Sequence, residues 1–321
     1  MRTIALLGAG FSRNWGGWLA NEAFEYLIGS RVLQRRRSVL DLLWKHQRRG
    51  GFEGALDELQ TEFERGRNSG IGADLKLLND AVRDMFTVMN GAFFNPSFNF
   101  PSQARDFLVN FDAIFSLNQD MLLERHYIRS GQFPSGGGPK KWSGATLPGI
   151  KWPFENAEQE LSLWRNGRWT VQPGIPKLGI QPQPIFKLHG SAQWYRENDT
   201  SGLMVLGGGK SSMIEKDELL RWYWAQFRSE LGKSGTRLMI IGYGFLDDHV
   251  NTVIRDAGTN SVKMFVIDPW GADVWVEGRG GQLQGRNHLQ NYLMGASRRS
   301  MSEIIEPSSV EHAKVMRFFR D

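Results

Sequence analysis

A histidine stands where an apolar segment ends, and its side chain is suited to acid–base chemistry on a small molecule. His189 follows the apolar segment Pro184–Leu188 and precedes Gly190. An imidazole has a pKa close to neutrality, so it can take a proton from a hydroxyl group or from water. The alternative is a core histidine whose hydrogen bonds are satisfied at a strand end. His189 is therefore a candidate general base.

Two further polar side chains, Asn118 and Asp120, follow another apolar segment, Ala113–Leu117. The amide of Asn118 can hydrogen-bond a sugar hydroxyl or hold a water molecule. The carboxylate of Asp120 can orient that amide or favour a cationic transition state. The same residue types are also common in turns and at helix starts. Both residues are candidate catalytic groups.

A glycine-rich turn follows the first apolar segment of the chain and has the residue types that approach a diphosphate. Glycines let a backbone come close to phosphate groups, and exposed amides at a helix start favour negative charge. Arg13 takes the place of the third glycine in the fingerprint of hydride-transferring dinucleotide enzymes, which disfavours that class. A plain strand-to-helix turn with Ser12 as the N-cap is the alternative. The candidate binding residues of this turn are Gly8, Ala9, Gly10, Phe11 and Ser12.

A second glycine pair ends the fourth apolar segment, and an aspartate ends the fifth. The glycines permit close packing against a nucleotide, although a simple turn between a strand and a helix would have the same sequence. Asp248 or Asn251 can cap the helix that follows. Asp268 can accept hydrogen bonds from an adenosine ribose, as acidic residues do at strand ends in dinucleotide sites. The candidate binding residues of this second group are Gly242, Tyr243, Gly244, Phe245 and Asp268.

Short apolar segments that alternate with helical patterns must position these side chains. Helical patterns between buried strands indicate an α/β fold, with a Rossmann-like parallel sheet and helices on both faces. Each candidate motif then lies just beyond the carboxyl end of a strand, where ligands bind in such sheets. The predicted strands are Thr3–Leu7, Ala113–Leu117, Pro184–Leu188, Arg237–Ile241 and Val262–Ile267.

The segments between these strands differ in character. Helical spacing of apolar residues runs from about 19 to 92, within a helical insertion at about 19–105. A second insertion, at about 131–184, begins as a loop rich in Gly and Pro and contains a predicted hairpin at 161–172 with Asn166-Gly167 as its turn. Further helices are predicted at 121–130, 215–231 and 310–319.

The composition excludes several classes of protein. The 321 residues are 40% hydrophobic and 12% aromatic, which suffices for a large core and argues against disorder. The chain has no cysteine, so neither disulfides nor a zinc site built from thiolates can form. With no signal-peptide pattern and no apolar run of membrane-spanning length, we expect a cytoplasmic protein. The net charge of +5 is a mild excess, and contact of its densest basic run, Arg35–Arg37, with nucleic acid is not favoured.

Other combinations of reactive side chains lack the spacing that their chemistry requires. Ser12 with His189 and an aspartate does not form a hydrolase triad, because the serine lacks the Gly-x-Ser-x-Gly turn. The aromatic cluster at 222–227 is interpreted as helix packing or an oligomer face. The remaining histidines show no ligand spacing with acidic partners, and no metal site is predicted. These histidines are His46, His126, His249, His288 and His312.

Together, the four motifs resemble the sirtuin-like family of bacterial antiphage proteins. The resemblance adds Asn14 and Trp15, which follow the first glycine turn, to the candidate binding residues. Gln119 departs from the pattern, because family members often have a tyrosine at this place. The motifs that carry the resemblance are Gly8-Ala-Gly-Phe-Ser-Arg-Asn-Trp-Gly-Gly17, the Asn118/Asp120 strand end, Lys187-Leu-His-Gly190 and Gly242-Tyr-Gly-Phe-Leu-Asp-Asp-His249.

The resemblance implies a domain organisation and an activity. It covers about residues 1–270 as an NAD-binding catalytic domain and leaves 271–321 as a C-terminal extension. The second insertion has no ligands for the zinc module of deacetylating sirtuins. Family members of this kind hydrolyse NAD+ to nicotinamide and ADP-ribose and thereby deplete the infected cell of NAD+. Asn118 and His189 would be the catalytic pair, and no metal would take part.

The same resemblance implies regulation by assembly. Such family members form homo-oligomers or associate with HerA-like ATPases or short Argonaute proteins. We therefore expect an oligomer with a separate partner protein and no membrane association. Two other hypotheses stay open at this point: a non-catalytic sensor of NAD or ADP-ribose, and a protein deacylase or ADP-ribosyltransferase.

Overall fold

The structure, a computed structural model, describes most of the chain. No helix in these stretches is long and apolar enough to cross a membrane. The described residues are 1–47, 51–66, 68–95, 97–128, 142–151, 169–179, 182–197, 202–259, 262–274 and 291–320.

Within these residues, ten strands form two sheets. The strands are β1 (Arg2–Leu7), β2 (Ala113–Ser116), β3 (Ala145–Thr146), β4 (Ile150–Lys151), β5 (Trp169–Val171), β6 (Gln183–Lys187), β7 (Trp194–Arg196), β8 (Thr236–Ile241), β9 (Lys263–Ile267) and β10 (Leu293–Ser297). Seven of them form a central sheet in the order β10-β9-β8-β1-β2-β6-β3, in which all neighbours are parallel.

The strands at the centre of this sheet are continuous apolar runs, because both faces are covered. Every residue of β8 is buried, and so is β1 after its first residue. Strands buried on both faces show no alternation of polar and apolar residues. The Rossmann-like parallel sheet expected from the sequence is confirmed, and all five predicted strands belong to it. The edge strands β3 and β10 are additional, and β10 comes from the segment predicted as a C-terminal extension.

A second sheet of three short strands, in the order β4-β5-β7, packs beside the first. Strand β5 is antiparallel to β4 and parallel to β7. Trp169 of β5 is opposite Trp194 of β7, and both indoles are buried. Most of the predicted hairpin at 161–172, including the Asn166-Gly167 turn, lies outside the described residues.

Helices cover both faces of the central sheet and build the first insertion. A π-helical turn, Glu124–Ile128, follows β2, and a 3-10 turn, Arg317–Phe319, ends the described chain. The α-helices are α1 (Ala9–Arg13), α2 (Ala20–Ile28), α3 (Arg37–His46), α4 (Phe52–Gly66), α5 (Ser69–Phe93), α6 (Ser102–Leu108), α7 (Lys210–Lys216), α8 (Glu218–Leu231), α9 (Asp248–Thr259), α10 (Met301–Ile304) and α11 (Val310–Met316).

The predicted helical insertion contains α2 to α5 and has a hydrophobic core of its own. Leu27, Leu43 and Val82 are fully buried where the apolar faces of these helices meet. Met204 and Leu206, from the segment before α7, complete this core. The insertion is thus a second packing unit, and the chain that leads into α7 contributes to its core.

Two predicted helices differ in detail from the structure. The helix expected at 215–231 is divided, because the Asp217 carboxylate accepts a hydrogen bond from the Leu220 amide at 2.9 Å and begins α8 there. The segment expected as a helix at 121–130 is the π-helical turn, and residues 129–130 lie outside the description. The helix expected at 310–319 is confirmed as α11 with its 3-10 turn.

Candidate functional site

The carboxyl ends of five neighbouring strands stop at one level of the central sheet. Ile267 of β9 is opposite Ile241 of β8, which is opposite Leu7 of β1. Leu7 is also opposite Ser116 of β2, and Ser116 is opposite Lys187 of β6. The residues that follow these strands therefore share one edge of the sheet, as the sequence predicts.

Asn118 joins the second motif directly to the first. Its Nδ2 donates hydrogen bonds to the Gly8 carbonyl and to Ser12 Oγ, both at 2.9 Å. The side chain is buried. Because both amide hydrogens are used, the Asn118 Oδ1 is left as a fixed acceptor at the strand edge. The alternative role of Ser12 as an N-cap is not seen, because the N-cap of α1 is Gly8.

The two glycine turns pack against each other, backbone to backbone. The Gly8 amide donates to the Ile241 carbonyl and the Gly10 amide to the Gly242 carbonyl, both at 2.9 Å. Gly242 has φ of +64°, and a Cβ atom there would lie 2.4 Å from the Gly10 carbonyl carbon. A side chain at this place would force the turns apart. This contact explains why glycines stand in both turns; binding of a diphosphate by the first turn stays a prediction.

The rest of the first motif forms the wall behind the turn. Phe11 is buried, and its ring centroid lies 4.9 Å from that of Trp15, which packs in turn on Phe100. Asn14 donates to the Gly10 carbonyl at 2.8 Å, and its Oδ1 accepts from the Met301 amide at 3.0 Å. Ala9 begins α1 and is exposed. Asn14 thus ties the first glycine turn to the C-terminal segment.

The Asp120 carboxylate has a structural contact. It accepts a hydrogen bond from the Leu122 amide at 3.0 Å and is buried. Among the hydrogen bonds of the described residues, none joins this carboxylate to the Asn118 amide, which is oriented by Gly8 and Ser12. A catalytic role of Asp120 stays a prediction.

A buried lysine connects the second and third motifs. Lys187 Nζ lies 2.6 Å from Glu124 Oε1, and it donates to the Asp120 carbonyl at 2.5 Å and to Ser191 Oγ at 3.2 Å. Burial raises the pKa of Glu124, and the charge of Lys187 opposes that shift. We call Lys187, Glu124 and Ser191 the Lys187 cluster. The Lys187 cluster was not predicted from the sequence, although a lysine inside the apolar segment Pro184–Leu188 was a signal.

His189 faces a second histidine. Its Nε2 lies 2.9 Å from His249 Nε2, and the two rings are 5.1 Å apart. His189 is buried, and this burial, assisted by the charge of Lys210, lowers its pKa to about 3. Burial also lowers the pKa of His249. From the sequence, His249 was assigned no role beyond that of a rejected metal ligand; its place at the end of the fourth motif was the signal for a role in the site.

A second buried lysine lies beside the histidines. Lys210 Nζ, at the start of α7, is 2.8 Å from Glu53 Oε2 of α4 and 2.6 Å from Asp247 Oδ1. Burial by itself raises the pKa of Asp247, but Lys210 and the two histidines together lower it below its ordinary value. Burial likewise opposes the charge of Lys210, yet the two carboxylates raise its pKa. We call Lys210, Glu53 and Asp247 the Lys210 cluster; sequence analysis did not find it.

The fourth motif is held by side chains of α9. Tyr243 donates from its hydroxyl to Asn251 Oδ1 at 2.9 Å, and Asn251 Nδ2 donates to the Phe245 carbonyl at 2.9 Å. Phe245 has φ of 56°, a left-handed conformation that this bond helps to hold. Gly244 is exposed beside it. Asn251 therefore fixes the loop before α9, whereas the sequence predicted it as a helix cap.

Asp268 directly follows β9 and is buried. Its Oδ1 accepts a hydrogen bond from the Trp270 amide at 2.9 Å, and its own amide donates to the Ser297 carbonyl at 3.0 Å. Burial raises the pKa of its carboxyl group. Trp270 stands beside it with half of its surface exposed. Binding of a ribose by Asp268 stays a prediction.

The described residues contain no group of three side chains that could hold a metal ion. A cavity of about 640 Å³ lies away from the motifs, between β3, β4 and the segment that follows β5. Its walls include Thr146, Ile150, Pro176 and Pro184. The four motifs are instead joined to each other by direct contacts.

The sheet, with four motifs linked at the ends of its parallel strands, defines a doubly wound α/β protein with a polar site at one edge. Residues 112–274, half of the chain, match the family model of the SIR2-like domain. The chain belongs to this family, which confirms the sirtuin-like resemblance. The antiphage part of the resemblance stays a prediction.

Comparison with solved structures finds Sir2 proteins at low sequence identity. A crystal structure of a Sir2 homolog–NAD complex is 13% identical, with 99% of this chain and 89% of that chain covered and a TM-score of 0.44. A Sir2 homologue mutant in complex with ADP-ribose is 13% identical, with coverage of 99% and 92% and a TM-score of 0.42. A structure on the mechanism and regulation of Sir2 enzymes is 14% identical, with coverage of 98% and 93% and a TM-score of 0.42. No curated protein matches the chain.

Proposed function

We propose that this protein is an NAD+ hydrolase that releases nicotinamide and ADP-ribose. The observation that carries the proposal is the placement of Asn118 and His189 at the ends of adjacent strands of a SIR2-like domain. Leu188 donates its amide to the Ser116 carbonyl at 2.8 Å, so the parallel pairing continues up to the two candidate residues. The two candidate residues therefore follow the ends of neighbouring strands, each two residues beyond the paired Ser116 and Lys187.

The expected reaction breaks the bond between the nicotinamide nitrogen and the anomeric carbon of the ribose. Nicotinamide leaves with the bonding electrons, and the ribose acquires oxocarbenium character, which nearby polar groups stabilise. Water then forms the new carbon–oxygen bond and loses a proton. Asn118 Oδ1 is oriented to hold that water or a ribose hydroxyl, because its Nδ2 is engaged by Gly8 and Ser12.

His189 serves as the proton acceptor in this scheme. Its pKa of about 3 keeps the ring neutral at physiological pH, so its lone pair is available. Negative charge nearby favours the protonated form of an imidazole. The diphosphate of a bound dinucleotide therefore raises the basicity of His189 when substrate is present. The first glycine turn is the proposed position of that diphosphate, with the adenosine towards Phe245 and Asp268.

The test is nicotinamide release from NAD+ by purified protein and by Asn118→Ala and His189→Ala variants. Both variants are expected to lose release by at least about 100-fold while the protein stays folded. Matched controls are Asn79→Ala, whose amide donates to the Leu75 carbonyl in α5, and His46→Ala, whose ring pairs with Glu58 on the helical insertion. Retained turnover in both site variants would reject the assignment.

The same experiment separates the other hypotheses. Binding of NAD+ without release, under every condition of assembly, would identify a non-catalytic sensor. Release that requires an acetylated peptide and yields O-acetyl-ADP-ribose would identify a deacylase. ADP-ribose attached to an added protein would identify a transferase.

We infer further that the protein acts as an effector of antiphage defence and is restrained by assembly. Unrestrained hydrolysis of NAD+ would be toxic to the producing cell, so activity needs a control. A homo-oligomer or a separate protein, such as a HerA-like ATPase or a short Argonaute, is the proposed source of that control. The measurement is nicotinamide release by the protein alone and with the product of its neighbouring gene. A monomer at micromolar concentration that is fully active alone would contradict the inference.

A further inference from the structure

The histidine pair is a contact that the proposed reaction has not yet used. His189 Nε2 and His249 Nε2 are 2.9 Å apart, so one nitrogen carries a hydrogen and the other accepts it. Among the described residues, the bond to His249 is the one hydrogen bond that the His189 ring makes. The Nδ1 of His189 has no partner among these residues. One imidazole nitrogen is therefore engaged and the other is open.

His249 stands between the buried ring of His189 and solvent. It is the second residue of α9, and its side chain is partly exposed, whereas His189 is buried. The indole of Trp224 lies 5.1 Å from the His249 ring and 6.3 Å from the His189 ring, and its Nε1 donates to the Leu188 carbonyl at 2.9 Å. Trp224 thus hydrogen-bonds the backbone just after β6 and packs against one side of the histidine pair.

We propose that His249 is a positioning residue that holds His189 with its Nδ1 open for the substrate and then receives the His189 Nε2 proton. This proposal rests on the proposed function. The partner of one ring nitrogen fixes the tautomer of the other, as a carboxylate does in hydrolase triads. With Nε2–H donated to His249, the lone pair of His189 lies on Nδ1.

The proton balance is complete without a further reactant. The attacking water or a ribose hydroxyl loses an O–H bond, and an N–H bond forms at His189 Nδ1. The N–H bond at His189 Nε2 breaks, and one forms at His249 Nε2. His249 then releases its Nδ1 proton to solvent. Both imidazoles end neutral, each with its proton on the opposite nitrogen, and rotation or exchange with water restores the starting tautomers.

Charges around the pair favour transfer towards His249. Asp247 faces both rings and Asp248 faces His249, and both carboxylates favour its protonated form. Lys210 and Arg228 oppose them. A charge on His189 stays enclosed, whereas a charge on His249 reaches water. The arrangement therefore moves positive charge from the enclosed ring to the hydrated one.

Two variants separate orientation from proton acceptance. In His249→Gln the amide can still accept from His189 Nε2–H but cannot take up the proton, and we expect kcat to fall about 10-fold with KM unchanged. His249→Phe keeps an aromatic ring beside Trp224 but offers no acceptor, and we expect a fall of about 100-fold or more. His46→Gln, outside the site, is the matched control with wild-type kcat.

The pH profile of kcat gives a readout that a structural role would not move. Positive charge on His249 is one of the causes that lower the pKa of His189, together with the charge of Lys210 and against that of Asp247. Removing it in His249→Gln raises the pKa of His189, so the acidic limb of the profile moves to higher pH. Wild-type kcat and an unmoved limb in His249→Gln, with His189→Ala inactive, overturn the inference and leave the proposed function standing.

A spectroscopic measurement tests the pair even if nicotinamide release is not found. Selective 15N labelling of histidine reports which nitrogen carries the hydrogen. We expect the Nε2–H tautomer for His189 in the wild type and its loss in His249→Phe. An Nδ1–H tautomer in the wild type, or no change in His249→Phe, overturns the inference.

Discussion

The Lys187 cluster and the Lys210 cluster both bury a lysine at the strand edge, but they hold different parts of the molecule together. The Lys187 side chain is 1% exposed and its partners Glu124 and Ser191 belong to the sheet and its loops. The Lys210 side chain is 9% exposed, and its partner Glu53, on the helical insertion, is 35% exposed. The Lys187 cluster links the second and third motifs, and the Lys210 cluster joins the insertion to Asp247, directly before α9 and its His249.

The charge balance differs as well. Lys187 faces one carboxylate, so the cluster is neutral when both groups are charged. Lys210 faces two carboxylates and also acts electrostatically on both histidines. We infer that Lys187 affects mainly the stability of the fold, because its ion pair is fully buried. Lys210 also affects the protonation of the two histidines, because its charge lies close to them. Four measurements test this difference.

The largest effect is expected for Lys187→Met, which leaves the Glu124 carboxylate buried without its cation. Breaking a fully buried ion pair on one side costs about 3 to 5 kcal/mol of unfolding free energy. The double variant Lys187→Met/Glu124→Leu removes both charges and should recover most of that loss. Urea unfolding of the single and double variants measures both values. A double variant no more stable than the single one would show that lost packing, and not the stranded charge, causes the effect.

Lys210→Met should cost less, about 1 to 3 kcal/mol, because water can reach the Glu53 carboxylate that it leaves behind. The loss should be concentrated at the junction between α4 and α7. Hydrogen exchange is therefore expected to rise in α4 before it rises in β8. Uniform exchange across both elements would contradict the view that this cluster joins two packing units.

The two lysines can be predicted only in part from the sequence, and the reason is topological. Apolar runs identified all five central strands, because a strand buried on both faces has a local signature. Lys187 is 63 residues from Glu124, and Lys210 is 157 residues from Glu53, so their pairing depends on which strands are neighbours. The same limit applies to Asn118 and Ser12, whose residue types were identified although their mutual contact was not.

Other differences arise where the local signal is weak or is shared by two structures. Strand β10 contains Gly295 and ends at Ser297, and it is only partly buried, so no continuous apolar run marks it. The glycines of both turns were interpreted as nucleotide contacts, with simple turns as the alternative; the structure shows Gly10 packed on Gly242, and the nucleotide contacts stay a prediction. A glycine required for close contact with another backbone segment cannot be distinguished in the sequence from a glycine required for close contact with a phosphate. Only the fold distinguishes these two causes.

The pH dependence of stability sharpens the comparison further. The folded pKa of His189 is about 3 against an ordinary value of 6.5, so the unfolded chain takes up a proton first as the pH falls. Stability is therefore lost below about pH 6.5, at up to roughly 1.4 kcal/mol per pH unit for this one group. His126, with a pKa lowered to about 4 by burial, contributes in the same direction.

The charge of Lys210 is one cause of the lowered pKa of His189, and the charge of Lys187 is not among them. Lys210→Met should therefore reduce the stability lost between pH 7 and pH 5, by up to about 1 kcal/mol, while the double variant Lys187→Met/Glu124→Leu, which leaves no stranded carboxylate to take up a proton, keeps that loss at the wild-type value. Urea unfolding at the two pH values, with each variant compared with itself, gives the difference. Equal losses in wild type and both variants would show that Lys210 does not act on the histidine.

The smallest effect is expected for a lysine with the same kind of partner but without burial. Lys76 pairs with Asp80 one turn along α5, and its side chain is 76% exposed. Water solvates both charges in the folded and the unfolded chain, so Lys76→Met should change the unfolding free energy by less than about 0.5 kcal/mol. The same urea titration, run beside Lys187→Met and Lys210→Met, places the three lysines on one scale. If Lys76→Met lowered the unfolding free energy as much as Lys210→Met, exposure would not explain the different effects of the three lysines. The contrast between the two buried clusters would then lose its physical basis.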